Sequence, residues 1–242
     1  MHCKTYGEEL NLGRDRFVRL MRDHGLRLRN RTYKPRTTDS RHGLPKYPNL
    51  ITEFIPKKPC QLWVSDITYI PCKLRERRFY YLSLLTDAYS HEIVGWALSS
   101  TLELKGPIEA LEMAMRKKKA DLSGLIHHSD RGCQYCSAKY VSKLRSKGIR
   151  ISMTESGDPK ENAVAERVNG IIKNELLGGE ALGTFESAIK ILEEKISFYN
   201  KERPHMSIGM LTPVAASIME GELGKRWDSR RESHIKAQQR VT

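Results

Sequence analysis

A chain of 242 residues with 39% hydrophobic content can bury a substantial core as one ample domain with appendages, which excludes wholesale disorder. Its 42 Lys and Arg against 29 Asp and Glu give a formal net charge of +13, the balance of a protein whose partner is a polyanion, nucleic acid first. No apolar run reaches membrane-spanning length, nothing resembles a signal peptide, and five cysteines form an odd, scattered set, so the expectation is a reduced, cytoplasmic protein with free thiols and no membrane partner.

In chain order, residues 11–29 place Phe17, Leu20 and Met21 on one face at helical spacing, with arginines around them and Gly25 as a C-terminal stop. This predicts one amphipathic basic helix whose Arg19 and Arg22 contact DNA phosphates. Residues 30–50 are rich in charge, Pro and polar side chains without an apolar period, and read as a linker. The basic bias returns near the C-terminus, so the expected division is a basic N-terminal helix and linker over 1–57, a core over 58–215 and a basic tail over 216–242.

The core opens on three strand-like stretches, 60–71, 77–90 and 92–99, rich in β-branched and aromatic residues and joined too closely to be other than antiparallel. A helical period follows through Ile108, Leu111, Met113 and Met115, with a basic last turn. A short buried strand over 123–129, a helix over 137–148 ending on Gly148 and a strand over 149–154 come next. Three strands and then alternating helices and strands describe a mixed α/β sheet, an antiparallel meander extended by crossover units. Further helices are predicted from Asn162 as N-cap, from Thr184-Phe185, and from Thr212-Pro213 through "VAASIMEGEL".

Three carboxylates stand out. Asp66 interrupts the apolar strand "LWVSDITYI", where a charge is costly unless it is paired, solvated at an edge or bound to a metal. Asp130 ends a strand and precedes Arg131-Gly132; strand-end and capping roles are ordinary for such a residue. Glu166 shares a helical stripe with Asn162, Asn169 and Lys173, on a different face from the apolar stripe of Val164, Val168 and Ile171. Two aspartates on neighbouring strands and a glutamate on a helix against the same sheet edge can converge on two divalent cations about 4 Å apart, as in-line attack on a phosphodiester requires. All-oxygen ligands select magnesium or manganese. Asp87 is a further candidate, either closing a turn or supporting the metals from behind.

Asp66, Asp130 and Glu166, with thirty-five residues between the last two, resemble the DD(35)E triad of the retroviral-integrase superfamily. The surrounding words "WVSDITYI", "LLTDAYSHEIVGWALS", "HHSDRGCQY", "ENAVAERVNGIIKNE" and "YNKERPHMSIGMLTP" are similar to those of OrfB-type transposases of the insertion sequence 3 family. The resemblance implies a ribonuclease H-like five-stranded sheet of order 3-2-1-4-5 flanked by helices, and a bacterial, DNA-associated enzyme. It also implies two Mg2+ (or Mn2+) ions per active site on Asp66, Asp130 and Glu166, with cleavage at element ends followed by strand transfer. The implied partners are double-stranded DNA (element ends and target), further copies of the chain and an OrfA-type helix-turn-helix protein. Lys173 matches a basic position that contacts DNA near the scissile phosphate. Arg131, Asn162, Asn169 and Arg203 complete the expected DNA-contacting set, and Glu161 stands where the family commonly has aspartate.

The stretch "IHHSDRGCQYCSAKY" also offers zinc-like spacing through Cys133, Cys136, His127 and His128. Alternation along a strand turns the two histidines to opposite faces, so they are not expected to share one metal.

Overall fold

The computed structural model describes residues 2–5, 8–11, 14–26, 42–76, 78–118, 121–156 and 159–224, together with Ser233 and Ile235. The first part of the expected linker and most of the basic tail lie outside them. Two units are distinguished, Met1–Arg36 and Thr37–Thr242.

In the first unit, strands β1 (His2–Thr5) and β2 (Glu8–Asn11) pair antiparallel. Sequence analysis missed this hairpin, because neither four-residue segment carries the β-branched or aromatic run that marks a strand. The basic helix is α1 (Arg14–Asp23), shorter than the predicted 11–29. Gly25 stops it at φ +65°, with Leu26 N–H donating to Met21 O and Gly25 N–H to Arg22 O, the paired closure that a left-handed glycine allows. Arg19 and Arg22 are exposed on it.

The second unit is built on the predicted sheet. Strands β3 (Leu62–Pro71), β4 (Phe79–Asp87) and β5 (Ile93–Ser99) form the antiparallel meander, with Asp66 opposite Leu84 and Leu84 opposite Trp96. Helix α2 (Lys105–Lys117) leads to β6 (Ile126–Ser129), and α3 (Cys133–Cys136) with α4 (Ala138–Arg145) leads to β7 (Arg150–Met153). Both added strands run parallel to β3, and the order β5-β4-β3-β6-β7 is the expected 3-2-1-4-5. A 3-10 turn (Pro159–Asn162), α5 (Ala163–Gly170), a π turn (Ile171–Leu176), α6 (Phe185–Lys201) and the short α7 (Pro213–Ala216) follow.

Strand alternation divides the core between the two faces. Trp63 and Leu85 pack with Leu111, Tyr140 and Leu144 from α2 and α4, whereas Leu82 and Leu84 pack with Val168, Ile171 and Leu192 from the α5 and α6 side. Each such fully buried side chain stabilises the fold by about 1.5–3 kcal/mol. At Gly95 the approach of α2 to the sheet is so close that a Cβ would stand 2.0 Å from Ala110 O.

The last predicted helix is cut short. Thr212 caps it as expected, its hydroxyl accepting from Ala215 N–H at 3.3 Å, but the helix ends at Ala216. Ile218 is 86% exposed, so continuing the helix would bury no apolar face there. Among the described residues no helix is long and apolar enough to cross a membrane.

Candidate active site

Burial along β3 falls off at Asp66: Leu62 to Ser65 are buried, and Asp66 is half-buried. Leu62 and Val64, on the face Asp66 shares, pack with Ala165 of α5. Ser65 pairs with Ser129 in the parallel β3–β6 ladder, and continuing that register sets Asp130 beside Asp66. Asp130 begins a turn in which its Oδ1 accepts the Gly132 N–H at 2.9 Å and its carbonyl accepts the Ser129 hydroxyl at 3.0 Å. Gly132 leaves room for this bond; a Cβ there would stand 3.0 Å from Asp130 Oδ1.

Two asparagines dock α5 onto the same place. Asn162 Nδ2 donates to Ser65 O at 3.0 Å, and Asn169 Nδ2 donates to Asp66 Oδ2 at 2.7 Å. Glu166 lies between them, one helical turn from Asn169, which puts their Cβ atoms about 5–6 Å apart. It is exposed, and close enough for its charge to act on Asp66. Asn162 occupies the N-cap position but makes no capping hydrogen bond; its amide nitrogen is turned onto β3 instead. Asn169 is likewise buried, with its amide nitrogen on Asp66.

The electrostatics follow from this clustering. Burial, then the charge of Asp130 and more weakly that of Glu166, push the Asp66 carboxyl up to about 7, against the partial relief of the Ile67 N–H and Asn169. A carboxylate so disfavoured is a group that a cation would relieve. Three hard oxygen donors therefore fit a divalent magnesium or manganese ion. Among the described residues no group of three His, Cys, Asp or Glu is drawn together tightly enough to hold an ion as it stands.

Other singled-out residues have different surroundings. Arg131 is half-buried, and its carbonyl lies 2.8 Å from His42 Nε2. Lys173 is half-buried in the π turn, where its carbonyl accepts the Gly179 N–H. Arg203 pairs with Glu175 at 2.5 Å, and Glu175 also meets Arg167 at 3.1 Å. Asp87 closes its turn: Oδ1 accepts from Tyr89 N–H, Ser90 N–H and the Ser90 hydroxyl, and Oδ2 from Cys60 N–H.

The zinc arrangement does not form. His127 Nε2 meets Tyr140 OH at 2.9 Å, and His128 Nδ1 meets Ser152 Oγ at 2.8 Å. Burial, then the neighbouring His128, lower His127 to about 3, so it stays neutral in the core. Cys136 is buried with its Sγ 3.6 Å from Met153 Sδ, whereas Cys133 is exposed. Sequence reasoning missed His42 altogether, because its partner stands 89 positions away.

Two integrase core domain families match the chain, over residues 56–159 and 147–213. An insertion element IS600 uncharacterized 31 kDa protein of Shigella sonnei is 38% identical over 84% of this chain and 74% of its own length. The transposase for insertion sequence element IS629 of the same organism is 32% identical over 86% and 69%. Among solved structures, the HTLV-2 integrase catalytic core domain in complex with magnesium (dimeric form) is similar at TM-score 0.51 and 18% identity, covering 66% of this chain and 97% of that one.

Proposed function

The chain belongs to the integrase core family as a DDE-type DNA transposase, a polynucleotidyl transferase that uses divalent metal, and on that premise we propose that Asp66, Asp130 and Glu166 are its catalytic carboxylates. The observation that carries this assignment is the docking of α5: Asn162 on Ser65 O and Asn169 on Asp66 bracket Glu166 and hold it beside the Asp66–Asp130 edge. Distance along the chain alone does not supply that juxtaposition.

In this reading Asp66 is the fixed point, set by a strand interior and oriented by Asn169. Asp130 is held by the Gly132 N–H at the strand edge beside Asp66. Glu166, the most exposed of the three, closes the set from the helix side. Two bound magnesium or manganese ions would activate the attacking water or 3′-hydroxyl and stabilise the leaving oxygen. Lys173 and the exposed arginines of α1 neutralise phosphates of the duplex. Element ends and target are the DNA partners, with further copies of the chain and an OrfA-type protein contributing end recognition.

The test is a labelled duplex carrying the parent element's ends, incubated with magnesium or manganese and either wild-type protein or Asp130→Ala. Nicked and joined products from the wild type alone support the proposal. Equal activity in the variant removes Asp130 from the site, and nicking without joining leaves a nuclease instead.

A further inference from the structure

Residues 42–51 form neither helix nor strand, yet they follow the outer margin of the sheet. β7 is the edge strand on that side, and an open edge needs covering. Met153 N–H donates to Pro48 O at 3.3 Å, Leu50 N–H to Ser152 Oγ at 2.9 Å and Asn49 N–H to Glu155 Oε1 at 3.4 Å. Ile51, 3% exposed, anchors the end of this strap in the cluster of Leu62, Val64, Ile126 and Ala165.

At its start the strap reaches the Asp130 turn. His42 Nε2 lies 2.8 Å from Arg131 O, and His42 Nδ1 accepts the Leu44 N–H at 3.3 Å. One neutral tautomer satisfies both contacts: Nδ1 must offer its lone pair to Leu44, so the proton sits on Nε2 and is donated to the Arg131 carbonyl. That carbonyl lies between Asp130 and Gly132, whose N–H orients the Asp130 carboxylate. A side chain 89 positions upstream thus fixes the peptide that aims the carboxylate.

We propose that His42 is a positioning residue: through the Arg131 carbonyl it holds the Asp130 carboxylate in the orientation that takes a divalent cation. The inference rests on the reading of Asp130 as a metal ligand, and it goes further in giving the strap a role in the site beyond covering a sheet edge. Groups that orient a metal ligand from behind are worth about 10–100-fold in metal affinity.

The experiment compares the full chain with His42→Ala, His42→Gln and Asp130→Ala. Its readouts are amide hydrogen exchange in the metal-free proteins and Mn2+ binding measured by calorimetry without DNA. His42→Ala should speed exchange across residues 130–135 while leaving α6 protected, and weaken Mn2+ binding about 10–100-fold. Glutamine, whose Nε2 can donate to the same carbonyl, should restore both. Wild-type exchange and wild-type Mn2+ affinity in His42→Ala would overturn the inference. So would faster exchange in α6 as well as in the turn, which would make the strap purely structural. Undiminished Mn2+ binding in Asp130→Ala would instead sink the ligand assignment on which the inference rests.

Discussion

Asp66 concentrates the conflict between stability and function. Its folded pKa, about 7 against an ordinary 3.8, means that the folded chain retains a proton the unfolded chain has released. Metal-free protein therefore loses stability as pH rises from about 4 through about 7. Asp66→Asn removes that cost, so the variant should melt above wild type at pH 8 without metal, with the gap closing toward pH 4, and it should be inactive. Scanning calorimetry at several pH values checks this; an Asn variant that melts below wild type at pH 8 contradicts it. Asn169→Ala deletes a donor to a charged oxygen at 2.7 Å, an interaction worth about 1.5–3 kcal/mol. Nicking should fall roughly 10–100-fold, with little change in DNA affinity if Asn169 serves Asp66 and not the duplex.

At the scale of elements, the approach of α2 to β5 makes Gly95 a sensitive position. Its hypothetical Cβ meets backbone Ala110 O at 2.0 Å, and backbone cannot swing aside as a side chain could. Gly95→Ala should cost about 3 kcal/mol, a fall of roughly 6–12 °C in melting temperature for a unit of this size. Arg203 was read from sequence as a DNA contact, yet it ties the end of α6 to Glu175 in the π turn. Arg203→Ala should cost about 1–2 kcal/mol of stability, between the values for exposed and buried pairs, and leave the salt dependence of DNA binding unchanged; a reduced salt slope would restore the DNA role. The π turn shows a limit of helical periodicity. The stripe Asn162, Glu166, Asn169 holds within one turn or two, but the bond from Leu177 N–H to Ile172 O belongs to a wider turn. The phase at Lys173 therefore departs from a continuous α-helix.

For the molecule as a whole, a +13 charge predicts binding to duplex DNA dominated by counterion release, so affinity should fall linearly on a log–log plot against salt. Lys173→Ala should lower that slope by about 1, and Arg19→Ala with Arg22→Ala by about 2. Filter binding or anisotropy across a salt series measures both, and a flat response would remove the phosphate assignment. The strand directions were legible because three closely joined strands must run antiparallel and helical crossovers must add parallel ones, whereas the order 3-2-1-4-5 came from the family resemblance. The short hairpin of the first unit was not, since its four-residue strands carry no pattern.

Local order determined much of this protein: the strand and helix periods, the anomalous carboxylate inside β3, and the positions of Asp66, Asp130 and Glu166, whose spacing resembles the DD(35)E triad. Only the tertiary structure decided what stands behind those carboxylates. Asn169 meets Asp66 across 103 positions, Asn162 meets Ser65 across 97, and His42 meets Arg131 across 89. Periodicity reports which face of an element is apolar, because burial repeats with the backbone. A single polar contact between distant elements has no such repeat, and its partner is chosen only when the elements pack.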